Sequence, residues 1–185
     1  MQRDQFINCT VFMALLISSN AYSADQLQVK LDTQIELLPA CMINDQHYDD
    51  GTSGLKFGVL NFGEATATHN GVIDTALSGG VNSAIKIQCN GSSTINIKFG
   101  SGKNDAQVPN EVKANYYRAM SNGTNYVGYN LLYGTNKQVL KPEHVISLSN
   151  NGQAHHLELY GQAILKGQTI TLGTYSDIIP ITIEF

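Results

Sequence analysis

Cys41 and Cys89 are the residues of this chain best suited to covalent chemistry. A third cysteine, Cys9, falls in an amino-terminal segment that reads as removable. The remaining even count in an exported protein predicts one disulfide, with metal ligation as the alternative. Cys41 shares strand parity with Ile35 and Leu37, and Cys89 with Ile85 and Ile87, so both thiols are expected to enter one core. A bridge between them would stabilise the fold by roughly 4 kcal/mol on a chain-entropy estimate. His155 and His156 are adjacent, so in a strand they face opposite ways, and no third ligand stands at a telling spacing. Asp49-Asp50-Gly51 lacks the alternating acidic pattern of a calcium loop, because Gln46 holds the first-ligand place; a solvated turn is expected. No Gly-x-Ser-x-Gly elbow, His-Glu-x-x-His helix or phosphate-binding loop occurs, so no catalytic residue, metal or cofactor is assigned. Tyr116, Tyr117, Tyr126, Tyr129 and Tyr133 could contact a glycan or surface, but tyrosines in a β-protein more commonly pack with their hydroxyls at the rim.

The elements that carry these residues belong to an exported chain. Residues 1–23 read as a signal peptide, with Arg3, an apolar stretch over 11–17 and Ala21-Tyr22-Ser23 as the cleavage site. Cys9 precedes the apolar stretch, which argues against a lipid-anchored cysteine. Removing Arg3 and Asp4 leaves the net charge at −4. A weakly acidic chain has no electrostatic footprint for nucleic acid. The length remaining after cleavage fits one domain, and 17 glycines imply many turns.

Four Asn-Gly pairs, at 70–71, 90–91, 122–123 and 151–152, supply turn chemistry. Between them run short alternating segments. Ile85, Ile87 and Cys89 share a face, as do Ile95, Ile97 and Phe99, so the stretch across Asn90-Gly91 reads as a β-hairpin. Further runs are Val127, Tyr129, Leu131 and Tyr133, then Leu157 and Leu159, then Ile170 and Leu172, then Ile179, Ile181, Ile183 and Phe185. No helical period is evident, and residues 104–115, with Pro109, read as a long connection. Many short strands with regular turns predict an antiparallel β-sandwich of immunoglobulin-like size.

Residues 26–37 alternate strictly, with Leu27, Val29, Leu31, Thr33, Ile35 and Leu37 on one face. Twelve residues extend about 40 Å, twice the usual strand, so part of this arm is available to something other than its own sheet. At the other end, residues 179–185 form an inward-facing strand with no further strand after it. A sandwich of this kind exposes an apolar groove beside an open hydrogen-bonding edge. The arm suits such a groove in a neighbouring copy, by strand addition.

Several local patterns then converge: Cys41 after the arm; Phe57-Gly58-Val59-Leu60-Asn61-Phe62-Gly63; Cys89 at a strand end; Tyr117-Arg118-Ala119-Met120, then Tyr129-Asn130-Leu131-Leu132-Tyr133; and Gly167-Gln168 leading to Gly173-Thr174-Tyr175-Ser176-Asp177. In this order they resemble the spore coat U domain family, which includes the pilins of archaic, Csu-type chaperone-usher pili. The resemblance implies an all-β, incomplete immunoglobulin-like antiparallel sandwich completed by a donor strand. It also implies a non-enzymatic pilus subunit held by a periplasmic chaperone, passed to an outer-membrane usher and joined head to tail to other subunits at the cell surface, in support of adhesion and biofilm formation. On this basis residues 24–33 form the donor arm, with Leu27, Val29, Leu31 and Thr33 as the donor face, and 34–185 the pilin domain. Ile35 and Leu37 begin the domain's own first strand. Ile179, Ile181, Ile183 and Phe185 form the strand that meets the chaperone or the donor. The alternatives are a self-complete secreted sandwich that binds a glycan or surface, and a coat-layer protein.

Overall fold

The computed structural model describes residues 27–79, 84–166 and 170–185. The expected signal peptide, residues 24–26 of the arm, and Gly167 and Gln168 lie outside these. The chain divides into two units, Met1–Glu36 and Leu37–Phe185. In the first, residues 27–36 are exposed and carry no regular secondary structure. Leu27, Val29 and Leu31 are 87, 82 and 85% exposed.

The second unit is built from twelve strands among the described residues: β1 (Ala40–Ile43), β2 (Gln46–Asp49), β3 (Val59–Leu60), β4 (Gly71–Ser78), β5 (Ala84–Cys89), β6 (Thr94–Phe99), β7 (Arg118–Ser121), β8 (Tyr126–Tyr133), β9 (Gln138–Leu140), β10 (His144–Ser149), β11 (His155–Leu165) and β12 (Ile181–Glu184). A 3₁₀ turn, Asp105–Gln107, lies in the connection between β6 and β7. Nine strands form one sheet, and β10, β6 and β12 form the other. The large sheet is organised around β11, which pairs antiparallel with β5, β4 and β8. The inward residues of both sheets meet in one core that includes Ile85, Ile87, Leu157 and Leu159 from one side and Ile95, Ile97 and Phe99 from the other. This is the architecture of an immunoglobulin-like antiparallel β-sandwich.

Cys41 and Cys89 lie opposite each other in the β1–β5 pair and form a disulfide. Both are buried in the core, as strand parity requires. The β1–β2 hairpin closes on Asn44 and Asp45, both at positive φ (50° and 65°). These are residue types that tolerate the left-handed region a two-residue turn demands.

Four expectations from sequence need correction. β5 and β6 do not form a hairpin: β5 pairs with β1 and β11, whereas β6 pairs with β10 and β12. The Asn90-Gly91 connection arches from one sheet to the other, so the two apolar faces meet across the core rather than lying side by side. Alternation alone is the same in both arrangements. Gly71 is the first residue of β4 and has no positive φ, while Gly91, Gly123 and Gly152 do adopt one. Ile170 and Leu172 belong to no strand, and Leu172 is 81% exposed. Ile35 and Leu37 also lie outside any strand and are exposed, and the domain's first strand begins after Pro39, at Ala40. Proline fixes φ and removes an N–H donor, which marks the strand boundary here.

Candidate interaction groove

β12 pairs with β6 in the register Ile181↔Phe99 and Ile183↔Ile97, and among the described residues its other edge has no partner strand. Burial alternates along this segment: Ile179, Ile181, Ile183 and Phe185 are half-buried against the core, while Ile178, Pro180, Thr182 and Glu184 are exposed. A strand whose inward residues are only half covered has room beside it. That room is a groove of about 1240 Å³ between the sheets. One wall is the inward face of β12 and the residues before it; core residues such as Phe99, Leu131 and Leu159 form its floor. The segment around β3 forms the opposite wall with Phe57, Leu60 and Phe62. The four residues 179, 181, 183 and 185 expected to border an acceptor site therefore share this groove.

The β3 wall was not singled out from sequence as a groove wall. It is held by side chains of β4: Thr75 Oγ1 donates to the Asn61 carbonyl at 2.7 Å, and Ser78 Oγ to the Val59 carbonyl at 2.9 Å. Phe62 packs over Gly161 of β11, where an added Cβ would stand 2.6 Å from Phe62 Cζ. Its ring meets Tyr129 edge-on at 6.1 Å between centroids. The one available signal was the Phe57-Gly58-Val59-Leu60-Asn61-Phe62-Gly63 motif, in which Phe57, Leu60 and Phe62 keep no regular strand period.

A polar cluster fixes the approach to β12. Asp177 Oδ2 accepts from the Tyr129 hydroxyl at 2.7 Å, while Oδ1 accepts from the Lys103 N–H at 3.0 Å and from Asn104 Nδ2 at 3.4 Å. Burial, reinforced by the hydrogen bond to Asp177, pushes the Tyr129 phenol well above its ordinary pKa and keeps it a donor. Next to it, the fully buried Arg118 donates from Nη1 to the Gly100 carbonyl at 3.0 Å and to Asp105 Oδ2 at 3.3 Å. Burial raises the Asp105 carboxyl, against the opposing pull of the Gly102 N–H and Arg118. Arg118, Tyr129 and Asp177 stand far apart in sequence within the quoted motifs, and the fold gathers them at this corner. Asp105, in the long polar connection, was not singled out. The cluster ties β7, β8 and the loop after β6 to the chain that enters β12.

The remaining candidates are dispersed. His155 Nε2 lies 2.9 Å from the Ser149 carbonyl. Asp49 ends β2, and its carbonyl accepts from Thr52 Oγ1 at 2.7 Å, a turn contact. Among the described residues no group of three metal-ligating side chains forms. Of the tyrosines, Tyr129 is fully buried, while Tyr116, Tyr117, Tyr126 and Tyr133 are partly covered.

Among solved structures, one similar structure is the CsuC-CsuE chaperone-tip adhesion subunit pre-assembly complex from archaic chaperone-usher Csu pili of Acinetobacter baumannii. The match has 18% identity and a TM-score of 0.41, and covers 80% of this chain. The matched region spans 40% of that chain's length. A comparison with curated proteins returned no match. The family model for the Spore Coat Protein U domain matches residues 26–182, nearly the whole of the chain outside the expected signal peptide. The chain belongs to the Spore Coat Protein U domain family.

Proposed function

We propose that this chain is a non-enzymatic structural subunit of a chaperone-usher pilus, polymerised by insertion of residues 24–33 of one copy into the groove beside β12 of the next. The observation that carries this reading is the groove itself, with apolar core exposed along a strand edge that has no partner among the described residues. Chaperone-pilin donor-strand complementation is a recognised instance of strand addition, in which backbone hydrogen bonds give affinity and alternate side chains give specificity. Leu27, Val29 and Leu31 are almost fully exposed, so their burial is available as a driving force. At roughly 1.5 to 3 kcal/mol per large aliphatic side chain, the three contribute about 5 to 9 kcal/mol before the entropy of ordering the arm is subtracted. Residues 34–185 form the domain that receives the arm. Insertion of an arm into a different copy is a heterologous contact, which propagates into a fibre when it does not close into a ring.

Family membership supports the same reading. It includes a periplasmic chaperone that covers the groove before assembly, an outer-membrane usher, and a pilus at the cell surface that serves adhesion and biofilm formation. The test is the double substitution Val29→Asp with Leu31→Asp. Subunit-subunit assembly is expected to stop while the chaperone complex still forms, because the arm and the groove are separate parts. Equal loss of both complexes would assign the arm a folding role instead.

A further inference from the structure

On the β12 wall of the groove, one carboxylate stands in an otherwise apolar and aromatic row of described residues. Tyr175, Asp177, Ile179, Ile181, Ile183 and Phe185 recur at a two-residue spacing and all line the groove. Among the described residues Asp177 Oδ1 already accepts two donors, whereas Oδ2 accepts only the Tyr129 hydroxyl. A carboxylate oxygen has two lone-pair sites, so Oδ2 can take one more donor. The apolar face of the arm has the same pattern in complement: among Leu27, Val29, Leu31, Thr33, Ile35 and Leu37, only Thr33 carries a hydroxyl.

The direction of insertion follows from where the receiving domain begins. At Gly91 an added Cβ would stand 3.3 Å from Pro39 Cβ and 3.6 Å from the Phe185 carbonyl carbon. The domain's own leading residues therefore start at the Phe185 end of the groove, which leaves the Tyr175 end for the body of a second copy. An arm entering from there runs antiparallel to β12, as β12 itself runs to β6.

We propose, on the basis of the donor-strand reading above, that Thr33 sets the register of the inserted arm by placing its hydroxyl against Asp177, with Leu31, Val29 and Leu27 opposite Ile179, Ile181 and Ile183. Registers that keep the apolar face inward differ by steps of two residues. A shift of four toward Phe185 would set Lys30 opposite Glu184 on the exposed face, a gain in occupancy of at most about fivefold. That shift would leave the Thr33 hydroxyl opposite Ile181, without an acceptor. An unpaired buried hydroxyl lowers occupancy roughly 5- to 150-fold, so the polar match outweighs the surface pair.

The register is read by cross-linking on the exposed face, using full-length chains co-exported in pairs. Gln28→Cys chains with Thr182→Cys chains place the two thiols directly opposite each other, whereas Lys30→Cys with Thr182→Cys sets them diagonally, beyond ordinary disulfide reach. The first pair is expected to give disulfide-linked dimers on non-reducing gels at about tenfold or more the yield of the second. Thr33→Val in the donor should erase that preference, and Thr33→Ser should retain it. Equal yields, a dominant Lys30 pair, or a preference that survives Thr33→Val would overturn the proposal. If neither pair links while Val29→Asp with Leu31→Asp still blocks assembly, the register is wrong and the donor reading stands. If neither links and that double variant assembles normally, the donor reading itself falls.

Discussion

Tyr129, Asp177 and Arg118 show how individual polar residues shape an apolar groove. A buried phenol without a partner is destabilising, so the bond from Tyr129 to Asp177 fixes both side chains and, with them, the chain leading into β12. Tyr129→Phe is expected to lower stability by about 1.5 to 3 kcal/mol, the range for hydrogen bonds to a charged acceptor, in equilibrium unfolding by urea. A change below a few tenths would mean that the cluster does not hold β12. Asp177 was visible in sequence as part of a closing motif, but its function was not, because Lys103, Asn104 and Tyr129 meet it only through the fold. Glu143 makes a second, surface contribution. Lys98 Nζ lies 2.6 Å from its Oε2, and the Ser101 N–H and hydroxyl donate to Oε1 at 2.8 and 3.0 Å. These contacts, Lys98 first, hold the Glu143 carboxyl below its ordinary value of 4.5. A carboxyl lowered in the folded state stabilises it fully above the unfolded value, and that gain is lost as the pH falls through the folded one. The melting temperature of Glu143→Gln should therefore lie below that of the parent at neutral pH and converge with it in acid. A gap that stays constant with pH would contradict the ion-pair account.

At the scale of elements, the disulfide and the strand edges divide the work between keeping the fold and leaving it open. The Cys41–Cys89 bridge joins β1 to β5 across 48 residues, so replacing both cysteines by Ala should reduce stability by about 4 kcal/mol on the chain-entropy estimate, read from urea midpoints. Little or no loss would show that β1 is held chiefly by its ladder and core contacts. Burial of both sulfurs was legible from strand parity because an alternating strand has only two faces. The partner of β6 was not legible, because a hairpin and an arch bury Ile95, Ile97 and Phe99 equally well. β8 reads as buried on both faces for a related reason. The polar connection 104–115 covers its far side, where Asn130 accepts from the Tyr117 N–H at 3.1 Å and donates to the Asn115 carbonyl at 2.8 Å. A composition that signals a loop does not say which sheet face the loop will cover. The hairpin at Asn44-Asp45 likewise carries no Asn-Gly pair to mark it, although both residues suit positive φ.

For the whole molecule, the two walls of the apolar groove were legible in sequence in unequal measure. Alternation identified the inward face of residues 179–185, since a period of two survives without any knowledge of partners. The opposite wall, from Phe57 to Phe62, has no such period; its place depends on Thr75, Ser78 and the missing side chain of Gly161. Pro39 also delays the first strand to Ala40 and leaves Ile35 and Leu37 in an exposed segment. That segment is the length of chain that would bridge one copy's groove to the next copy's body. The account stands most directly on deletion of residues 24–33, followed by electron microscopy and size analysis of the exported protein with and without an added peptide of residues 24–37. The expected result is a subunit that no longer polymerises, yet binds the peptide in its groove and melts at a higher temperature when it does. Polymers formed as readily by the deleted chain as by the full one would contradict the account.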